Sequence, residues 1–176
     1  MPNPCSLCNA ACCKDYIITT TSFDVARIVE GNGMAINSFA VLYPAKMLNL
    51  DESTVLECYA NGQRYDYVLA LKSHPCVFLG DNNRCQIHKL APFTCRRYPI
   101  SQNGKIFERA SCNPISKLMF AVFGVHLKKE EHNSQIDEYR KIVAKWNRKH
   151  GKREDCLGFL LNESRDINRL SNIDKN

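Results

Sequence analysis

The chain lacks any long apolar run. No stretch approaches the roughly 20 consecutive apolar residues of a membrane-spanning helix, so no membrane is expected as a partner. Its first residues, Met1-Pro-Asn-Pro-Cys5, carry neither a basic stretch nor an apolar run of signal-peptide length, which predicts a cytoplasmic protein. No glycine-rich S-adenosylmethionine loop follows a strand; Gly31-Asn-Gly33 follows a helical pattern and reads as a helix stop. The Cys-x3-Cys-x2-Cys radical signature is absent as such, and no nucleophile has a convincing set of partners for acid–base relay. Histidine is scarce, at five residues in 176. There is no internal repeat and no low-complexity tract, and the length and composition suit one globular domain with a modest core.

What the chain has in excess is cysteine, ten in all. Four lie among the first thirteen residues: Cys5, Cys8, Cys12 and Cys13. A second group follows at Cys76, Cys85, Cys95 and Cys112. In a cytoplasmic setting disulfides are rare, and clustered thiols bind metal or do chemistry. A disulfide framework is disfavoured further because the neighbours Cys12 and Cys13 could bridge each other only under strain. Thiolates ligate zinc, and iron–sulfur clusters are built on four cysteines. All eight of these residues are therefore expected to be metal ligands, converging on one or two centres, with Cys12 and Cys13 pointing in different directions. Cys58 falls on a strand and reads as a buried core thiol. His88 and His74 read as polar turn residues before they read as ligands.

The formal charge of +6 counts thiols as neutral. A four-thiolate site around Zn2+ or a [4Fe–4S]2+ cluster is doubly negative, so two such sites would bring +6 to about +2. Nucleic acid is accordingly a partner that charge permits but does not favour. The basic residues Arg140, Lys141, Lys145, Arg148, Lys149, Lys152 and Arg153 read first as a solvated helix face. An unknown protein or small molecule is the expected partner.

Patterning predicts an α+β fold: a small metal-organised domain with short strands and hairpins over 1–114, and a helical cap over 115–176 packed on it as one structural unit. Tyr16 to Thr20 has strand character, and Thr21 or Ser22 caps a helix through Glu30. A second short helix is expected from Ile36 to Tyr43. Asn61-Gly62 joins Glu57–Tyr59 to Arg64–Leu71 as a hairpin. Gly80-Asp-Asn-Asn turns so that Cys76 and Cys85 face each other, Pro92 opens a turn presenting Cys95, and Asn103-Gly104 makes another turn. Residues 115–127 read as a buried helix. Ser134 with Asp137 resembles a capping box, before a face made of Ile136, Tyr139, Val143 and Trp146. Gly151 ends that helix, and a last one starts near Asp155.

From Cys5 to about Cys112 the chain resembles the YkgJ-type cysteine-cluster family, a zinc- or iron-chelating domain. The resemblance is carried by Cys5-x2-Cys8-x3-Cys12-Cys13, by Ser22-Phe-Asp24-Val-Ala-Arg27-Ile28, by Pro75-Cys76-x-Phe78-Leu79, and above all by Cys85-x-Ile87-His88-x3-Pro92-x2-Cys95-Arg96-x-Tyr98-Pro99. The first spacing is one residue longer than the short form, and His88 and Ala91 stand where the family usually has tyrosine and arginine. The resemblance implies an iron–sulfur centre, preferred here to zinc as the alternative, and methyl transfer for some members through a larger relative, flagellin lysine N-methylase. It leaves open whether this chain is an enzyme with a redox or modifying role or a non-catalytic zinc module.

Overall fold

The structure, a computed structural model, describes residues 9–48, 51–98, 112, 114–115, 118 and 129–173. It is α+β. Helix α1 (Ala11–Asp15) is followed by an extended segment and then by α2 (Ser22–Asn32). Thr21 caps α2: its hydroxyl accepts the Asp24 N–H at 3.2 Å, and its own N–H donates back to Asp24 Oδ2 at 3.4 Å. A reciprocal cap of this kind stabilises a helix start by about 1 kcal/mol. The helix closes on Gly33, whose φ of 67° is the left-handed conformation that a residue without Cβ adopts freely.

The expected helix from Ile36 to Tyr43 divides in two. A single helical turn, α3 (Ile36–Phe39), gives way to strand β1 (Ala40–Pro44). The β-branched and aromatic residues Val41 and Tyr43 suit a strand, and pairing with the following hairpin overrides the helical reading. That hairpin forms as expected from β2 (Leu56–Ala60) and β3 (Gln63–Leu71) around Asn61 and Gly62, both with positive φ. The antiparallel order is β1-β3-β2, with Leu42 opposite Leu69 and Cys58 opposite Tyr65. β2 pairs with the first half of β3 and β1 with the second. Beyond β2, Ile18 to Thr20 runs along β3, with Thr19 bridging Ala70, so the strand-like segment before α2 joins the sheet's rim.

Two long helices pack on this sheet, α5 (Lys129–Asn147) and α6 (Arg153–Ile173), after the short α4 (Phe93–Arg97). Tyr139, Ile142, Val143 and Trp146 form the buried stripe of α5, the helical spacing expected of an amphipathic face. The Trp146 indole N–H donates to the Glu57 carbonyl at 2.9 Å. Asn147 clasps the start of β2, donating to Val55 O and accepting from Glu57 N–H, each at 2.9 Å. Gly151 lies where a Cβ would stand 2.3 Å from the Trp146 ring, so close approach requires glycine there. From α6, Cys156 and Leu160 enter the core, and Ser164 bonds the buried Ser22 hydroxyl of α2 at 2.6 Å.

Several expectations are corrected. Helix α5 begins at Lys129, so Ser134 is interior to it and caps nothing; Asp137 bonds Arg140 instead. Of residues 115–127, the described Ile115 and Leu118 are exposed, not buried. The basic cluster is largely exposed, as a solvated helix face is, while several members pair within the chain: Arg140 with Asp51, Lys141 with Glu138, Lys145 with Glu163, Lys149 over the Phe159 ring and Arg153 over Tyr67. Among the described residues, no helix is long and apolar enough to cross a membrane. The Asn103–Gly104 turn lies outside the described residues.

Candidate metal centre

The thiols of interest sit on short elements held by backbone bonds. Cys12 and Cys13 occupy α1, where the two sulfurs lie 3.9 Å apart. They therefore do not diverge as expected, although neighbouring residues on a helix point about 100° apart. The carbonyl of Cys13 accepts the N–H of Cys76 at 2.7 Å, which ties the first cysteine group to the second.

Cys76 and Cys85 flank the turn 80–84. Gly80 N–H donates to Arg84 O and Gln86 N–H to Phe78 O, each at 2.9 Å, and Leu79 bridges Cys85. Asn83 takes a left-handed φ of 57°, a conformation that asparagine tolerates. This is the tight hairpin that Gly80-Asp-Asn-Asn predicts. Pro92 then leads into α4, whose third residue is Cys95. The ring of Tyr98 just beyond α4 meets Tyr16 just beyond α1 edge-on, at 5.9 Å between centroids.

Asp24 is the fixed point beneath α4. It is 1% exposed. Its Oδ2 accepts bonds from the Thr20 and Thr21 hydroxyls and the Thr21 N–H. Its Oδ1 accepts from Arg27 and, at 3.1 Å, from the N–H of Phe93. The same Arg27 nitrogen donates to Ala91 O at 3.1 Å. A buried carboxylate is tolerable only with such pairing. Sequence reasoning, which named Asp24 within the Ser22–Ile28 motif, missed this role. The signal that could have found it is the Thr21-x2-Asp24 cap inside the Ser22–Ile28 motif, since a capping carboxylate keeps a second oxygen for other donors.

Cys13, Cys76, Cys85 and Cys95 act on one another through their charges. Burial pushes the Cys76 thiol up to about 11, aided by the charges of Cys13 and Cys85. Cys85 is raised by burial and by Cys13. Cys95 is raised furthest among these three, by burial first and then by Cys76, Cys13, Cys85 and Asp24. Cys13 is raised by its bond to Cys12, by burial and by the Cys12 charge. Each anion thus penalises the others, which is the condition that a soft cation relieves. Charge acts over a longer reach than ligation: among the described residues no three Cys, His, Asp or Glu side chains stand at ion-holding distances. The donor set is all sulfur, with Cys76 buried and Cys13, Cys85 and Cys95 half-buried, and in that respect it fits zinc or an iron–sulfur cluster.

The remaining predicted residues fall differently. Cys5 and Cys8 lie outside the described residues. Cys112 is half-buried. His88 is half-buried in the turn 86–90 and His74 is exposed. Cys58 is buried in the core as expected, and Cys156 lies in the same core cluster.

The model of the family CxxCxxCC, described as "Putative zinc- or iron-chelating domain", matches residues 4–113. No curated protein and no solved structure matches the chain. The match spans every candidate ligand, from Cys5 to Cys112, and the helix that carries Asp24 and Arg27. The chain belongs to the CxxCxxCC cysteine-cluster family, and its first two thirds are a zinc- or iron-chelating, metal-binding domain.

Proposed function

We propose that this domain holds an iron–sulfur centre, of the [4Fe–4S] type, and that it serves a redox or modifying reaction on a protein or small molecule. The feature that carries the reading is the all-thiol set of Cys13, Cys76, Cys85 and Cys95, borne on two short helices and one hairpin and acting electrostatically on one another. Cys5, Cys8, Cys12 and Cys112 complete the proposed ligand set, as a second site or as alternates in the first. Iron is preferred because the gathered donors are all thiols and histidine is peripheral: His74 is exposed and His88 sits on a turn. When bound, such a cluster would supply one-electron chemistry. The protein's part is to bury the sulfurs and set their hydrogen bonds, which tune the potential.

A zinc staple is the second reading, and one observation favours it. Residues 73–90 are built mainly of turns, which gain most from a metal that closes them. Anaerobic purification of the full chain tests both. Brown protein with matched iron and acid-labile sulfide supports the cluster. Colourless protein with stoichiometric zinc overturns it in favour of the staple.

A further inference from the structure

We propose that the buried Asp24–Arg27 pair of α2 is a positioning device for the metal centre, clamping the Ala91–Phe93 strip so that α4 delivers the Cys95 sulfur to the other thiols. The proposal rests on the metal-binding reading above and adds residues that carry no ligand atom themselves.

The geometry is a double clamp. Asp24 Oδ1 takes the Phe93 N–H at 3.1 Å, the first N–H of α4. Arg27 reaches past it to the Ala91 carbonyl at 3.1 Å while bonded to the same Asp24 oxygen. Pro92, between these two anchors, has no N–H to bond and a ring that fixes φ, so the strip has little freedom left. Cys95 follows two residues after Phe93, inside a single helical turn. With α4 only five residues long, its own hydrogen bonds are too few to hold it independently. Its position is borrowed from α2, a longer helix set in the core by Phe23, Val25 and Ile28. Asp24 is also close enough for its charge to act on Cys95; Arg27 offsets that charge and keeps the thiolate from facing a bare carboxylate.

This arrangement corresponds to the outer-shell support that orients ligands in other metal sites, where its loss costs about 10–100-fold in metal affinity. The experiment uses the full chain as purified with its metal, and reads metal release to a chromophoric chelator. Asp24→Ala is expected to release metal about 10–100-fold faster than wild type. Asp24→Asn keeps an acceptor for Phe93 but loses the charge that Arg27 pairs with, so it should recover part of the difference. Arg27→Lys, whose side chain ends one bond short of the Nη2 nitrogen that bonds both Asp24 and Ala91, should fall between wild type and Asp24→Ala. Ser22→Ala is the control: it breaks the buried bond on the other side of α2 without touching the strip, and should release metal at the wild-type rate.

If Asp24→Ala releases no faster than Ser22→Ala while both keep their helical circular dichroism, the clamp is refuted. If Asp24→Ala does not fold, the Arg27→Lys comparison decides. If wild type neither carries nor takes up metal, the metal reading fails by itself. The clamp is then judged by iodoacetamide labelling of the metal-free chain, where Arg27→Lys or Asp24→Asn should raise Cys95 modification several-fold relative to Cys85. No change in that ratio overturns it.

Discussion

Two groups of thiols in this molecule share a chemistry and differ in everything around it. Cys58 and Cys156 are borne by β2 and α6, at 2% and 0% exposure, and belong to one core cluster. The long elements that carry them are fixed by Trp146, Asn147 and Leu160, and would stand without the sulfurs. Cys13, Cys76, Cys85 and Cys95 are borne by two short helices and a turn-built hairpin, whose positions depend on a handful of backbone bonds and on Asp24. A thiol on a rigid, packed element has no room to close on an ion. A thiol on a short, tethered loop can shift by the small distance that ligation needs. Scaffold, not residue type, separates the core sulfurs from the candidate ligands.

The comparison breaks most sharply under substitution by serine. A structural metal site is worth about 10–16 kcal/mol, so removing one of four ligands should forfeit roughly a quarter of that, about 3 kcal/mol, or more than a hundredfold in affinity. Cys76→Ser and Cys95→Ser are expected to strip the metal, with Cys8→Ser doing the same if the first group ligates. Cys58→Ser and Cys156→Ser should keep full occupancy, and instead lower the denaturation midpoint by burying a hydroxyl at a cost of about 1–3 kcal/mol. Elemental analysis beside a urea melt separates the two effects. Equal metal loss from both groups would erase the distinction.

On the core side, Gly151→Ala is the next largest change. Its Cβ would meet the Trp146 ring at 2.3 Å, and overpacking of this kind typically costs about 1–3 kcal/mol. The chain between α5 and α6 must move, along with the 2.9 Å bond from Tyr59 N–H to Gly151 O. Metal content should be unchanged. A stable Gly151→Ala variant that loses metal would mean that core and centre are one cooperative unit.

How far these features can be read from residues alone depends on whether the signal is local. The Asn61-Gly62 hairpin, the Thr21 cap and the Tyr139–Val143–Trp146 face are written in neighbouring residues, and all three form. The strand β1 is not, because Ala40 to Pro44 becomes extended only by lying against Val68 to Leu71. The start of α5 was misplaced because Ser134 and Asp137 have the spacing of a cap, while nothing local shows that the helix has already begun. Grouping of cysteines in the sequence was legible, and so was the separation of Cys58 from them. The closeness of the Cys12 and Cys13 sulfurs was not, since neighbours on a helix point about 100° apart and no sequence pattern reports the side-chain torsions that bring them together. The clamp from Asp24 to Phe93 spans 69 residues, and no periodicity reports a contact of that separation.

A smaller test concerns Tyr139. Its hydroxyl is buried without a hydrogen-bond partner among the described residues, a condition that costs about 1–3 kcal/mol relative to a satisfied group. Tyr139→Phe should therefore stabilise the chain by about 1 kcal/mol, with the metal retained. Burial also raises this phenol above its ordinary value of 10. The folded state then keeps its proton where the unfolded chain releases it, so wild-type stability falls as pH climbs above about 10. The gain from Tyr139→Phe should widen there, as measured by urea midpoints at neutral and alkaline pH.

The smallest effect belongs to Asp51, at the surface on the same side of the fold. Its carboxyl is held down to about 2 by the Ser53 hydroxyl and then by Arg140 of α5. The contacts are short, 2.6 Å to each, yet both Asp51 and Arg140 are more than a third exposed, and water and salt screen such pairs to less than about 1 kcal/mol. The sign is that of a lowered acid: the contribution is present above the unfolded value near 4 and disappears as pH falls towards 2. Asp51→Asn should thus lower the urea midpoint slightly at pH 6 and hardly at all near pH 2.5. A loss at pH 6 that exceeds the Gly151→Ala loss would place the weight of the fold on its surface turns, not on the Trp146 core.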